Sequence, residues 1–439
     1  MKKFMLVITI FSSLILFTAC QNSENESGDS SKKEITMMLT GNQEEQDAYE
    51  QVIKEFEKEN DVKVKVIPTD GSQYKTKLQA AISGGNVPDV FWFEQVDFLT
   101  YVNNGVLLEM DDYLSDEAKN DIDGIWPMAV KNFQFDGTDV GAGTHYGLPK
   151  DAAPFALGYN KTMFEENGIE LPDKSHSFTQ EEFVTIAKKL TKDTNGDGEL
   201  DQWGTGLDVR WSLPSFVWGN GGDWLNEDAT KVTIDTPEFI SALQEFVNLQ
   251  IKYEVTPSVS QGQTLDTYQR WMKGELAFFP VGPWDMGTYQ KLDFEYDLIP
   301  WPTGQSGDWA TYFQSTGIGV SANTKSPEDA VELVKYLSTS VKGQDALVEA
   351  SVQIPNNVEK AKEWASDTSS RPINKQIFLD ILDTNGRSLP MTRTYTSEWY
   401  DEFFTNIQPV LDGKKTAEEY VKEAQPKMQK LLDKSISDQ

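Results

Sequence analysis

The chain has 439 residues, with 70 acidic against 39 basic side chains and a formal net charge of -31. That length exceeds one ordinary hydrophobic core and suits two lobes, and the acidic field repels nucleic acid, anionic membrane and phosphorylated ligands. One cysteine and two histidines exclude an internal disulfide and a Cys/His zinc cluster, and leave little for thiol or imidazole chemistry.

Lys2 and Lys3 precede an apolar run from Phe4 to Ala19, interrupted by Thr9, Ser12, Ser13 and Thr18. The run stops short of the roughly 20 residues that a membrane span needs. A charged start and a short apolar core read as a secretory signal over residues 1–19. The run closes on Leu16-Phe17-Thr18-Ala19-Cys20, which resembles the lipobox of bacterial lipoproteins. The resemblance implies that Cys20 is acylated and becomes the mature N-terminus. Residues 20–33 then form a tether of Gln, Asn, Ser, Glu, Gly, Asp and Lys, with nothing to bury. The expectation is an acidic globule tied by lipid to the extracellular face of the cell membrane.

Ile35 to Leu39 reads as a buried strand, and Tyr49, Val52, Ile53 and Phe56 form the stripe of an amphipathic helix. Val62, Val64 and Val66 alternate with lysines, a half-exposed strand ending at Pro68. A helix over Tyr74 to Ile82, stopped by Gly84-Gly85, leads into a second buried strand from Pro88 to Phe93. This alternation indicates an α/β sheet whose ligands lie at the carboxyl ends of the strands. Glu181 to Leu190 is amphipathic, and the loop after it, with Asp193, Asn195, Asp197, Glu199 and Asp201, matches the start of an EF-hand calcium loop. Its twelfth position is Gly204 rather than a bidentate glutamate, so a structural calcium there needs a carboxylate from elsewhere. Further helices are expected over Glu238 to Ile251, Asp329 to Leu337 and Ala417 to Leu432. No repeat or internal linker appears within residues 34–439.

Several stretches fall in one order along the chain. They are Gly85-Asn86-Val87-Pro88-Asp89-Val90, Gly147-Leu148-Pro149-Lys150-Asp151, Leu157-Gly158-Tyr159-Asn160-Lys161 and Met163-Phe164-Glu165-Glu166-Asn167-Gly168-Ile169. Asn220-Gly221-Gly222-Asp223-Trp224 comes next, then Lys273 to Phe279 running into Gly282-Pro283-Trp284, and Ser315 to Val320. Over about residues 34–439 this set resembles the family 1 extracellular solute-binding proteins, the sugar-capturing lipoproteins of ABC importers. The resemblance implies two α/β lobes with a ligand cleft between them, joined by crossing hinge strands. It places the first lobe in 34–150 plus 277–316 and the second in 151–276 plus 317–439.

Sugar rings offer apolar faces to aromatic planes and hydroxyl edges to Asp, Glu, Asn, Gln and Arg. Loop tryptophans beside glycines are therefore ligand candidates: Trp218 next to Gly221, Trp224, and Trp284 in the family's Gly-Pro-Trp. Trp92, inside an apolar strand, reads as core. Glu94 and Gln95 follow a strand end, Asp151 sits at the expected crossing and Asn42 follows the first strand. Arg393 and Trp399 lie in the stretch that the family folds over its cleft. Lys150 reads as neutralising Asp151. His145 and His176 read as exposed loop residues without a metal partner.

The sequence thus points to a monomeric, lipid-anchored receptor that takes a neutral carbohydrate to a separate permease, with no catalytic residue and no required cofactor. A glycoside hydrolase using two carboxylates, or a receptor for a polyol or another non-sugar solute, cations included, is the alternative.

Overall fold

The computed structural model describes residues 33–174 and 177–437. The expected leader, Cys20, the tether up to residue 32, and His176 lie outside them. Helices and strands alternate through the first hundred residues much as the apolar pattern requires. Strand Lys33–Thr40 pairs in parallel with Val62–Thr69 on one edge and Val90–Glu94 on the other. In the Val-Lys alternation the valines Val62 and Val64 are buried while Lys63 and Lys65 face solvent. The connecting helix Gln43–Glu59 starts at Asn42, whose side chain accepts the Glu45 N–H at 2.8 Å. Its stripe of Tyr49, Val52, Ile53 and Phe56 is buried. Asp70 caps helix Gly71–Ser83 in the same way. The sheet is completed by Thr316–Val320, antiparallel to Val90–Glu94, and by Leu148–Pro149 beyond it.

The second lobe is built on a sheet in the order Tyr296–Ile299, Ala156–Asn160, Leu276–Val281, Trp203–Thr205. Helix Gln180–Leu190 packs on this sheet, and helices Val209–Gly219, Pro237–Ile251 and Ala417–Ser437 share its hydrophobic core; three of the four run over stretches expected to be helical. Gln180–Leu190 opens with a reciprocal bond pair between Thr179 and Glu182. Helix Pro327–Thr339 packs on the first lobe.

Between the lobes, the chain leaves the first at Lys150 and Asp151 and returns alongside itself. Ala153 and Pro154 pair antiparallel with Gln314 and Phe313, and the Lys150 N–H donates to the Thr316 carbonyl at 2.8 Å. The expected return near Ala277 does not occur. All six residues of Leu276–Val281 are buried, so the strand needs a neighbour on each edge, and Ala156–Asn160 and Trp203–Thr205 supply them within the second lobe. The return comes at Thr316, where the strand joins the first lobe's sheet instead of crossing out of it. A further crossing follows Val352, which packs in the first core, whereas Ile354 belongs to a cluster that joins Trp126 and Ala129 of the first lobe to Leu298 and Phe378 of the second. The first lobe thus holds 33–150 and 316–352 and the second 151–314 and 376–437, while the segment from Ile354 to Ser366 is bonded to both: Asn356 Nδ2 donates to the Pro149 and Ser338 carbonyls and the Val358 N–H to the Gly124 carbonyl, and Trp364 stacks on Phe378.

Candidate functional site

The cleft between the lobes holds a cavity of about 430 Å³. The first lobe contributes the residues at strand ends and helix starts: Thr40, Gly41, Asn42 and Glu45 after one strand, Trp92, Phe93 and Glu94 on another, and Tyr74 and Lys75 from helix Gly71–Ser83. The crossing strands supply Lys150, Asp151, Ala153, Gln314 and Thr316, and Trp284 comes from the second lobe. Gly41 has φ +140°, and a Cβ there would meet the Glu45 carboxylate, so glycine lets that carboxylate fold back over the helix start. A second cavity of about 230 Å³ shares Lys75, Glu94 and Gln314 with the first.

At the base of the cleft Lys150 is 4% exposed. Its ammonium lies 2.5 Å from Glu45 Oε1 and 2.9 Å from Asp151 Oδ2, and sits 4.9 Å above the Trp92 ring. Burial works against its charge, but Asp151 and Glu45 outweigh that and hold its pKa well above the usual lysine value. Lys150 thus neutralises Asp151, as the sequence suggests. Lys75 pairs with Asp97 at 2.9 Å. Among the described residues Glu94 makes no ion pair of this kind, although the Lys75 charge acts on it; it accepts from Gln314 Nε2. Desolvation in the cleft, then the charges of Asp97 and Asp151, raise its pKa. Two buried polar atoms of lining residues, Thr40 Oγ1 and Trp92 Nε1, lack a partner among the described residues.

Trp284 is half-buried, with its ring stacked on Phe155 at a centroid distance of 6.0 Å and an interplanar angle of 9°. The preceding Gly282 explains the motif. A Cβ built there would fall 2.2 to 2.4 Å from the indole, so only glycine lets the ring lie back against the strand. The lobes touch on both sides of the cleft. Lys291 bridges to Glu44 at 2.8 Å and the Thr100 hydroxyl donates to the Tyr395 carbonyl at 3.0 Å.

Of the sequence candidates, Asn42, Glu94, Asp151 and Trp284 meet in the larger cavity, and Gln95 lines the smaller one with Glu94. The others are elsewhere. Trp218 and Trp224 are 3% and 0% exposed: Trp218 is one of the buried residues of helix Val209–Gly219, and Trp224, past the turn that ends this helix, packs among Phe239, Tyr400 and Phe403 rather than in a cleft. Gly221, at φ +83°, forms that turn. Trp399 is fully buried, its Nε1 donating to Thr394 Oγ1 at 2.9 Å, and Arg393 donates to the Glu227 carbonyl.

The calcium loop is not assembled. Asp193 accepts the Gly196 and Gly198 amides, Asn195 and Asp197 accept the amides two residues on, and Asp201 accepts the amide and hydroxyl of Thr194. Glu199 is exposed, and no three His, Cys, Asp or Glu side chains converge for a metal among the described residues. His145 is not exposed either: its ring lies between Asp111 and Gln134.

Sequence reasoning missed Lys75, Asp97, Gln314 and Trp211. Trp211 lies in the first turn of a helix that follows the carboxyl end of strand Trp203–Thr205, the same strand-end signal that picks out Glu94 and Gln95.

A family model described as bacterial extracellular solute-binding protein matches residues 40–343. The galactooligosaccharide-binding protein of Bacillus subtilis is 25% identical over 361 residues, covering 80% of this chain and 79% of its own length. The maltodextrin-binding protein of the same organism is 23% identical, with coverage of 81% and 82%. Among solved structures, an ABC substrate-binding protein from Listeria monocytogenes in complex with cycloalternan is 26% identical with a TM-score of 0.81, over 92% of this chain and 100% of the other. Since the family match runs from the end of the first strand through the cleft and both paired crossings into helix Val341–Glu349, this chain belongs to the bacterial extracellular solute-binding proteins.

Proposed function

We propose that the protein captures a neutral oligosaccharide between its lobes and delivers it to the permease of an ABC importer. The observation that carries this is the composition of the cleft. Trp284 offers an aromatic plane from one lobe, while Glu94, Asp151 and Asn42 line the other side as hydroxyl acceptors. Carboxylates outnumber cations around the cavity, which disfavours anionic ligands. Closure of the lobes about the crossing strands strips water from these groups and strengthens each bond to the ligand. The family is one of solute-binding proteins rather than enzymes. The galactooligosaccharide- and maltodextrin-binding relatives favour an oligosaccharide over a polyol.

The test is calorimetry of residues 33–439 against neutral oligosaccharides of two to six rings, with product analysis. One-to-one binding without products is expected. Heat with no member of the panel, or release of shorter sugars, overturns the reading. In the same proposal Cys20 carries the lipid that holds the protein at the outer face of the cell membrane. Radiolabelled palmitate entering the native protein but not Cys20→Ala supports it, and equal label in both overturns it.

A further inference from the structure

The chain passes between the lobes three times, and one buried side chain ties the third passage to the first. Asn356 is 1% exposed, and its Nδ2 donates to the carbonyls of Pro149 at 3.2 Å, Lys150 at 3.0 Å and Ser338 at 3.1 Å. The amide has one sense only, since turned over it would set Oδ1 against three carbonyl oxygens. As it stands Oδ1 lacks a partner among the described residues, and an orphaned buried acceptor is destabilising. A side chain kept inside on those terms is kept for its donors. Trp126 Nε1 adds a bond from the first lobe to the same stretch, donating to the Pro355 carbonyl at 3.1 Å. Two further buried amides carry the contact toward the ligand cleft. Gln344 Oε1 accepts from the Asn356 N–H at 3.0 Å and from Gln353 Nε2 at 2.9 Å, and Gln353 Oε1 accepts from the Tyr49 hydroxyl at 2.8 Å. The Tyr49 ring meets Trp92 of the cleft edge-on at 4.8 Å, and the Lys150 ammonium lies 5.6 Å from its centre. Lys150 is therefore fixed at its carbonyl by Asn356, while its ammonium lies over the ring that Gln353 anchors. Asp151 is gripped by the second passage, its carbonyl by Ser315 Oγ at 2.6 Å and its carboxylate by the Thr316 N–H at 3.2 Å.

Resting on ligand capture between the lobes, whichever solute is captured, we propose that Asn356 is a positioning residue. It pins the third passage to the first, so that all three turn as one hinge and carry Asp151 to the same place at each closure. With the pin gone the passages shift independently. The ligand-free lobes then spread over a wider range of separations, and affinity falls with the fraction that still reaches the binding arrangement.

The experiment measures the distance distribution between spin labels on Lys119→Cys and Lys189→Cys, exposed positions on opposite lobes, in the full chain carrying Cys20→Ser. Native protein, Asn356→Leu and Asn356→Ser, which keeps one donor, are compared without ligand and with a maltodextrin or galactooligosaccharide mixture of two to six rings. Asn356→Leu is expected to broaden the ligand-free distribution at least twofold and to weaken binding at least fivefold. Asn356→Ser does both to a smaller extent, and saturating sugar restores the native width in each. A lowered unfolding midpoint with native width and affinity, in either variant that folds, overturns the proposal, because Asn356 then only stabilises the core. Failure of both variants to fold overturns it on the same ground. Binding of neither mixture to native protein overturns the sugar reading alone, and the ligand-free distances still decide the pin.

Discussion

Trp284 shows one face to the cleft and rests the other on Phe155, whereas Trp224 is enclosed by Phe239, Tyr400 and Phe403 at centroid distances of 4.7 to 4.8 Å. Both follow glycines, and in sequence they look alike. What separates them is what each glycine does. Gly282 makes room for an indole on an interlobe strand end, while Gly221 and Gly222 turn the chain so that the indole is driven beneath a helix. A tryptophan packed on every side holds a lobe together; one packed on a single side is left to hold a ligand.

The largest effect that can sharpen this contrast is Trp224→Ala. It should destabilise the fold by about 3 to 5 kcal/mol, read by denaturant unfolding, and the folded fraction should still bind ligand with native affinity. A drop in affinity without loss of stability would erase the distinction. Trp284→Ala should do the reverse, weakening sugar binding by about 2 kcal/mol or more, roughly thirtyfold, while the unfolding midpoint hardly moves. Gly282→Ala should lower affinity by a smaller factor, about tenfold, by pushing the indole off Phe155 rather than removing it. Quenching of tryptophan fluorescence on ligand addition should shrink with it, and native affinity in this variant would refute the role given to the glycine.

The smallest effect concerns the acidic side of the cleft. Desolvation, then Asp97 and Asp151, raise the Glu94 pKa. Its ionised form therefore opposes folding at neutral pH, and that opposition fades as pH falls through the raised value, vanishing below the unfolded value near about 4.3. Glu94→Gln should raise the unfolding midpoint of the free protein slightly at pH 7, by an amount that disappears by about pH 4. A gain of the same size at every pH would show that desolvation of the charge is not its cause.

The local elements were legible in the chain. Alternation in Val62–Val66 places a strand that runs from Val62 to Thr69, and the stripe of Tyr49, Val52, Ile53 and Phe56 picks out the buried face of helix Gln43–Glu59 without its ends. Lobe membership was not. Leu276–Val281 and Thr316–Val320 are both short buried strands, and which sheet each joins depends on partners more than a hundred residues away. For the site, Glu94, Gln95 and Asp151 were readable because strand ends and crossings point at the cleft. Trp211 carries the same strand-end signal and was passed over, whereas Gln314 was not readable, since its place beside Ala153 rests on a pairing between strands far apart in the chain. Trp399 and Trp224 misled because an indole beside polar residues in sequence can still be surrounded by rings in space.

The paired crossing strands also govern the order in which the molecule can be made. The first sheet needs Thr316–Val320 between Val90–Glu94 and Leu148–Pro149, and the second core needs Tyr420, Met428 and Leu432. A polypeptide emerging from its amino end therefore holds no finished lobe until more than two-thirds of it has appeared, and no second lobe until nearly all has. Folding is deferred to the end of synthesis by topology alone.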